Sequence, residues 1–302
     1  MVSLEAQKKI MKLKDTQKEN QEYALNAPLE IQRKEWEEYA SQAPLPSNIN
    51  IETKMIGNIS TDWISVDNKK DSVILYFHGG GLNQGSSITH HRLASYISKY
   101  SGSSILMHNY PLAPEHPFPE ALIVSVEIYQ WLIELGYTSK KIIFGADSSG
   151  AALAMATCLK LREMNKELPK AIFMLSPMLD FSLSGESMLT HKERDLRVFK
   201  EDLDLTVSYY CQNEDPTNYL ISPIFGDIKD FPPTLIQVGS EEILLSDALR
   251  LKEQLIKHKR FVTLTIWEGM WHVFHSDVER IPEATKALKE VSTFIKEQLK
   301  RV

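Results

Sequence analysis

Apolar positions recur with two different periods along this chain, and the change of period divides it. Between residues 4 and 42, Leu4, Ile10, Leu13, Tyr23, Leu25, Leu29, Ile31, Trp36 and Tyr39 stand at loosely helical spacing among Lys, Glu and Gln, which predicts two helices broken near Pro28. Pro44 and Pro46 mark the exit, and Ile51 to Ile56 and Thr61 to Val66 read as two strands of a meander. After a turn at Asn68-Lys69-Lys70-Asp71, the run Ser72 to Phe77 is continuously apolar, as a strand covered on both faces must be. Helical and strand patterns then alternate: helix Ile88 to Tyr100, strand Ser103 to Asn109, helix Pro119 to Leu135, strand Lys141 to Gly145, helix Ala151 to Met164, strand Ala171 to Ser176. Residues 178 to 230 interrupt this rhythm with helical material around Lys200 to Cys211 and an Asn/Asp/Pro loop, too long for a simple connection. It resumes with strand Thr234 to Val238, helix Ser246 to His258, strand Phe261 to Trp267 and a closing helix near Pro282 to Lys300. The expected fold class is α/β, a mostly parallel sheet with helices on both sides.

Composition adds bounds rather than direction. The 302 residues are 43% hydrophobic and 25% charged, enough for a full core. The net charge of −6 comes from interleaved charges, which argues against a nucleic-acid footprint or a polybasic membrane contact. No apolar run approaches the roughly 20 residues of a membrane span. The charged N-terminus has no signal-peptide pattern, so the expected location is cytoplasmic. Cys158 and Cys211 lack any metal-ligand or redox spacing and are expected to be buried free thiols.

The chemistry gathers at strand ends. Strand Lys141 to Gly145 runs into Ala146-Asp147-Ser148-Ser149-Gly150, a small-residue turn with Ser148 at its apex, followed at once by an alanine-rich helix. A turn that displays a nucleophilic serine needs small residues two before and two after it; a serine merely capping the helix is the plainer alternative. His78-Gly79-Gly80-Gly81 follows directly on the strand ending at Phe77. Three successive glycines imply unusual backbone angles or a very close approach, and their amides are suited to receive an oxyanion. Neither a Gly-x-Gly-x-x-Gly pattern nor a Lys-Ser/Thr ending favours a phosphate loop. In Asn109 to Ala121, four prolines stiffen a loop carrying Glu115 and His116, expected to brace the glycine loop from behind, with His116 more simply a structural histidine. A serine hydrolase also needs an acid and then a histidine at later strand ends. Glu241, Glu242 and Asp247 follow strand Thr234 to Val238, and His272 and His275 follow strand Phe261 to Trp267, so the residues alone leave three acids and two bases open.

His78-Gly79-Gly80-Gly81, the Tyr-Pro-Leu-Ala-Pro-Glu-His-Pro-Phe-Pro run from Tyr110, Asp147-Ser148-Ser149-Gly150 and Met270-Trp271-His272-Val273-Phe274 together resemble the hormone-sensitive-lipase family of α/β-hydrolases, from about Trp63 onwards. The family's elbow reads Gly-Asp-Ser-Ala-Gly-Gly; here Ala146 and Ala151 replace its outer glycines. The resemblance implies a carboxylesterase or lipase with Ser148 as nucleophile, His272 as general base and Glu242 as the acid, where Asp is commoner. It further implies an oxyanion hole from the amides of Gly80, Gly81 and Ser149, supported by His78, Gly79, Asp147 and Glu115. Residues 1–45, with 178–215 as an insertion, look like the family's helical cap over a catalytic domain spanning 46–302. A small-molecule ester of short to medium acyl length is the implied substrate, with no metal and no cofactor, and the likeness alone suggests a homodimer. Two rivals remain: a non-catalytic ligand receptor on the same fold, recognised by loss of the histidine that is present here as His272, and an amidase or deacetylase. A metal hydrolase fares poorly, since His90 and His91 are adjacent and His272 and His275 lack H-E-x-x-H company.

Overall fold

A computed structural model describes residues 2–66 and 71–301. The expected turn at residues 68–71 falls, except for Asp71, outside them. The chain opens with helices α1 (Leu4–Asn26) and α2 (Leu29–Ser41), parted at Ala27-Pro28 as the sequence predicts. Strands β1 (Asn50–Ile56) and β2 (Ile59–Ser65) form a hairpin across Gly57-Asn58, where Gly57 takes φ 57°. The second strand therefore starts two residues before Thr61, because the turn is tighter than the alternation suggests.

Then follow β3 (Val73–Phe77), α3 (Ser87–Ser101), β4 (Ser104–His108), α4 (Glu120–Glu134), β5 (Ile142–Asp147), α5 (Gly150–Glu163) and β6 (Ala171–Leu175). The insertion carries the short α6 (Ser187–Thr190) and α7 (Lys200–Cys211). The chain ends with β7 (Thr234–Gly239), α8 (Leu245–Lys257), β8 (Val262–Trp267) and α9 (Pro282–Lys300). The eight strands lie in the order β1-β2-β4-β3-β5-β6-β7-β8, antiparallel across β1, β2 and β4 and parallel from β4 to β8.

Strands β3 to β7 are buried along their whole length, and their side chains divide by parity between two cores. Val73, Leu75 and Phe77 meet Ile142, Phe144 and Ala146 on the face covered by α4, α5 and α8, whereas Ile74 and Tyr76 meet Ile143 and Phe173 beneath α3 and α9. A third cluster is smaller. It packs Ala6 of α1 against Met270, Trp271 and Phe274 and against Ala284 and Ala287 of α9, and Ser3 ties down to the Glu283 carboxylate at 2.7 and 2.8 Å. The start of α1 thus backs the segment that follows β8, while farther along α1 packs on α7. Both cysteines are buried free thiols. Among the described residues no helix is long and apolar enough to cross a membrane.

Candidate active site

The candidate groups sit beyond the carboxyl ends of β3, β4, β5, β7 and β8, where the parallel strands deliver their loops to one edge. Strand β5 runs two residues beyond the predicted Gly145, because Asp147 stays extended and buried with its carboxylate bonded inward. The turn is then made by one residue: Ser148 takes φ 51°, while Ala146 and Ala151 do not leave the negative-φ region. Alanine is accommodated at both places because neither requires a left-handed backbone, only a small side chain. Gly150 is different. A Cβ there would lie 2.2 Å from the Phe77 carbonyl oxygen and 2.4 Å from that of His78, so α5 starts against the end of β3 with no room to spare. Ser149 precedes α5 without capping it through its side chain.

From Ser148 a continuous hydrogen-bonded line leads away. Its Oγ stands 2.9 Å from His272 Nε2, and His272 Nδ1 stands 2.9 Å from Glu242 Oε2. An ionised carboxylate only accepts, so Nδ1 carries the proton and Nε2 is left to accept from the serine hydroxyl. Glu242 is fully buried, and its other oxygen accepts from the Gly239 amide at 2.6 Å and from the Ser176 hydroxyl at 2.7 Å. The remaining candidates are elsewhere. Glu241 pairs with Arg194 at 2.8 Å, Asp247 accepts from the Leu179 and Asp180 amides at 2.7 and 3.1 Å, and His275 bonds Gln237 at 3.1 Å. Burial pushes Asp247 up to about 7 and His275 down to about 3.

The glycine loop lies against the elbow: a Cβ on Gly79 would come within 2.3 Å of Asp147 Oδ2 and 2.9 Å of Ser148 Cβ. Gly80 and Gly81 take φ 117° and 68°, and a side chain on Gly81 would strike Asn83 and Thr206 of α7. Among the described residues no backbone carbonyl accepts from the amides of Gly80, Gly81 or Ser149. His78 is buried and stacked on Tyr110 with centroids 4.2 Å apart, and burial, reinforced by His90, lowers it to about 3, so it is a neutral prop.

Glu115 does not touch the glycine loop itself. It is exposed and grips Arg33 of α2 through two bonds of 2.9 and 2.8 Å, and Arg33 in turn donates to the carbonyls of Asn83 (2.7 Å) and Ala113 (2.6 Å). The bracing expected of Glu115 is therefore relayed through an arginine, and the proline loop, with His116 exposed, serves as its seat.

Sequence reasoning missed several neighbours of the site. His90, weighed in the sequence as a metal ligand and set aside, faces Asp147 at 3.3 Å, and Tyr76 donates to the same carboxylate at 2.9 Å. Burial alone would raise the Asp147 carboxyl, but the His90 and Tyr76 contacts outweigh it and hold it below the usual range. Asp195 of the insertion is fully buried and accepts from the Ile243 amide at 2.9 Å, and Ser187 donates to the Ile243 carbonyl at 2.5 Å. Burial raises Asp195, against the pull of His272. No local pattern could have placed these residues, since each meets its partner across 48 to 71 positions of chain.

A family profile described as alpha/beta hydrolase fold matches residues 74–276. A crystal structure of an esterase from the bacterial hormone-sensitive lipase family superposes with a TM-score of 0.89, at 32% identity, covering 95% of this chain and 98% of that one. This chain belongs to the hormone-sensitive-lipase family of α/β-hydrolases. Within that family it is 33% identical over 252 residues to an esterase of Acinetobacter venetianus, covering 82% of this chain and 83% of the relative. It is 34% identical over 241 residues to an acetyl-hydrolase of Streptomyces hygroscopicus, covering 80% and 81%. The hormone-sensitive-lipase relationship makes the chain a carboxylic ester hydrolase.

Proposed function

We propose that this esterase hydrolyses short- to medium-chain acyl esters through an acyl-enzyme on Ser148, with His272 as general base and acid and Glu242 as the group that orients and charges the imidazole. The observation that carries the proposal is the unbroken line from Ser148 Oγ through both imidazole nitrogens to Glu242, with 2.9 Å at each gap. His272 takes the hydroxyl proton as Ser148 attacks the ester carbonyl, and the imidazolium is held by the buried carboxylate. The free amides of Gly80, Gly81 and Ser149 receive the oxyanion. His272 then protonates the departing alcohol and activates the water that releases the acid. Helices α1, α2 and α7 stand over the glycine loop as a lid, which divides the chain into residues 1–45 with 178–215 as cap and the rest of 46–302 as catalytic domain. The acetyl-hydrolase name of one relative favours small acyl groups.

The test pairs two variants with p-nitrophenyl esters of graded acyl length. Ser148→Ala should abolish turnover and fluorophosphonate labelling in a folded protein, and Glu242→Gln should lower kcat by about 10³–10⁴ through the wrong imidazole tautomer. Undiminished hydrolysis by Ser148→Ala would reject the assignment.

A further inference from the structure

Ser176 stands one residue beyond β6, fully buried, at a point where the three loops of the proposed triad meet. Its hydroxyl donates to Glu242 Oε1 at 2.7 Å and accepts from the Val273 amide, beside His272, at 3.0 Å. The residue before it, Leu175, accepts from the Ser148 amide at 3.0 Å, and Met178 donates to the Ser148 carbonyl at 3.0 Å. A carboxylate has no proton to give and an amide nothing to accept with, so the Ser176 hydroxyl has one arrangement only: proton towards Glu242, lone pair towards Val273. The backbone here is unfavourable for such a residue. Ser176 takes φ 51° and Val273 takes φ 48°, a region where serine is uncommon and a β-branched residue an outlier. Glycine would suit position 176 better as backbone, and a side chain kept against the local preference marks a site where its chemistry is used.

We propose that Ser176 is a positioning residue for the hydrolysis: it fixes the carboxylate of Glu242 so that Oε2 faces His272 Nδ1, and it pins the peptide that carries the imidazole. This rests on the triad reading above. The two carboxylate oxygens are thereby given separate duties. Oε1 is satisfied by the Gly239 amide and the Ser176 hydroxyl, while Oε2 is left to the imidazole. Without the Ser176 hydroxyl the Val273 amide loses its partner and the carboxylate can turn.

Ser176→Ala removes the hydroxyl and keeps the Cβ, so the backbone strain that the serine already carries stays constant; Ser176→Gly removes the hydroxyl and that strain together, and agreement between the two isolates the hydroxyl. The expected result in both is kcat lower by about tenfold to a hundredfold with KM within about twofold; the unpartnered Val273 amide lowers the thermal midpoint of Ser176→Ala, and the relieved backbone of Ser176→Gly returns part of that loss. Ser176→Cys, with a weak donor in the same place, should recover part of the loss. Full kcat in both variants would overturn the proposal, leaving the residue as a turn. A loss of kcat that appears in only one of Ser176→Ala and Ser176→Gly, or that Ser176→Cys does not recover in any part, would overturn it equally, as a purely structural effect. Ser148→Ala run alongside separates the two levels: if that variant stays active the triad reading itself has failed, and if it is dead while Ser176→Gly is unimpaired only the present proposal falls.

Discussion

Replacing Gly150 by alanine asks the elbow to accept one methyl group where none fits. The added Cβ would sit 2.2 Å from the Phe77 oxygen and 2.4 Å from the His78 oxygen, both backbone atoms that cannot rotate away. Restoring ordinary contact at about 3.4 Å requires the start of α5 and the end of β3 to part by about 1.2 Å. That movement separates Ser148 and the Ser149 amide, on one side, from the Gly80 and Gly81 amides on the other. Overpacking of this kind costs about 1–3 kcal/mol, a fall of about 2–10 °C in Tm for a chain of this size. A displacement of about 1 Å in a catalytic constellation costs about a hundredfold in kcat/KM. Hydrolysis of p-nitrophenyl acetate followed beside thermal unfolding measures both. Ala151→Gly is the control, since it loosens the same helix end without a clash and should keep most of the activity. If Gly150→Ala retains kcat/KM within about threefold, the tight seating of the elbow does not matter and the reasoning fails.

Two further outcomes follow from groups around the site. Burial holds the Asp247 proton up to about pH 7 in the fold, against 3.8 for the ordinary carboxyl. The stability it contributes is complete below the unfolded value and is lost as pH rises through about 7, on the order of 4 kcal/mol in all. Asp247→Asn should therefore show a smaller fall in Tm between pH 5 and pH 8 than the parent; parallel curves would refute this. Arg33→Lys replaces a fork that reaches Glu115, Asn83 and Ala113 together with a single ammonium. It should lower kcat/KM by about tenfold with little change in Tm, read by the same ester assay, and an unaltered kcat/KM would show that the glycine loop needs no such brace.

The sheet was legible because β3 to β7 are covered on both faces and so read as unbroken apolar runs, and α7 lies where helical material was expected, around Lys200 to Cys211. The hairpin was less so, since β1 is largely exposed and carries little contrast between its faces. The turn presenting Ser148 and the glycine loop stood out by residue type and strand context, while the role proposed for Ser148 needed the other motifs and the family likeness. The proposed acid and base could not be singled out from residues alone, because Glu241, Glu242 and Asp247 all follow β7 closely, as His272 and His275 follow β8; the family likeness was needed to choose. Supporting residues were the least visible. Asp195, Ser187 and Ser176 are polar residues buried by long-range hydrogen bonds, and an amphipathic pattern assigns such residues to the surface.

The strap formed by Asp195 and Ser187 on Ile243 bears on how this enzyme can be re-engineered. A cap insertion of the kind proposed for residues 178–215 would ordinarily be exchanged between homologues as a module, to change which esters are accepted. Here the same stretch buttresses the strand-end peptide next to Glu242, so a chimera that imports a foreign insertion without equivalents of both side chains would trade selectivity for a slackened carboxylate. Library design on this scaffold is better confined to the residues of α1, α2 and α7 around the small cavity beside Asn83 and Gln84, with those two anchors left untouched.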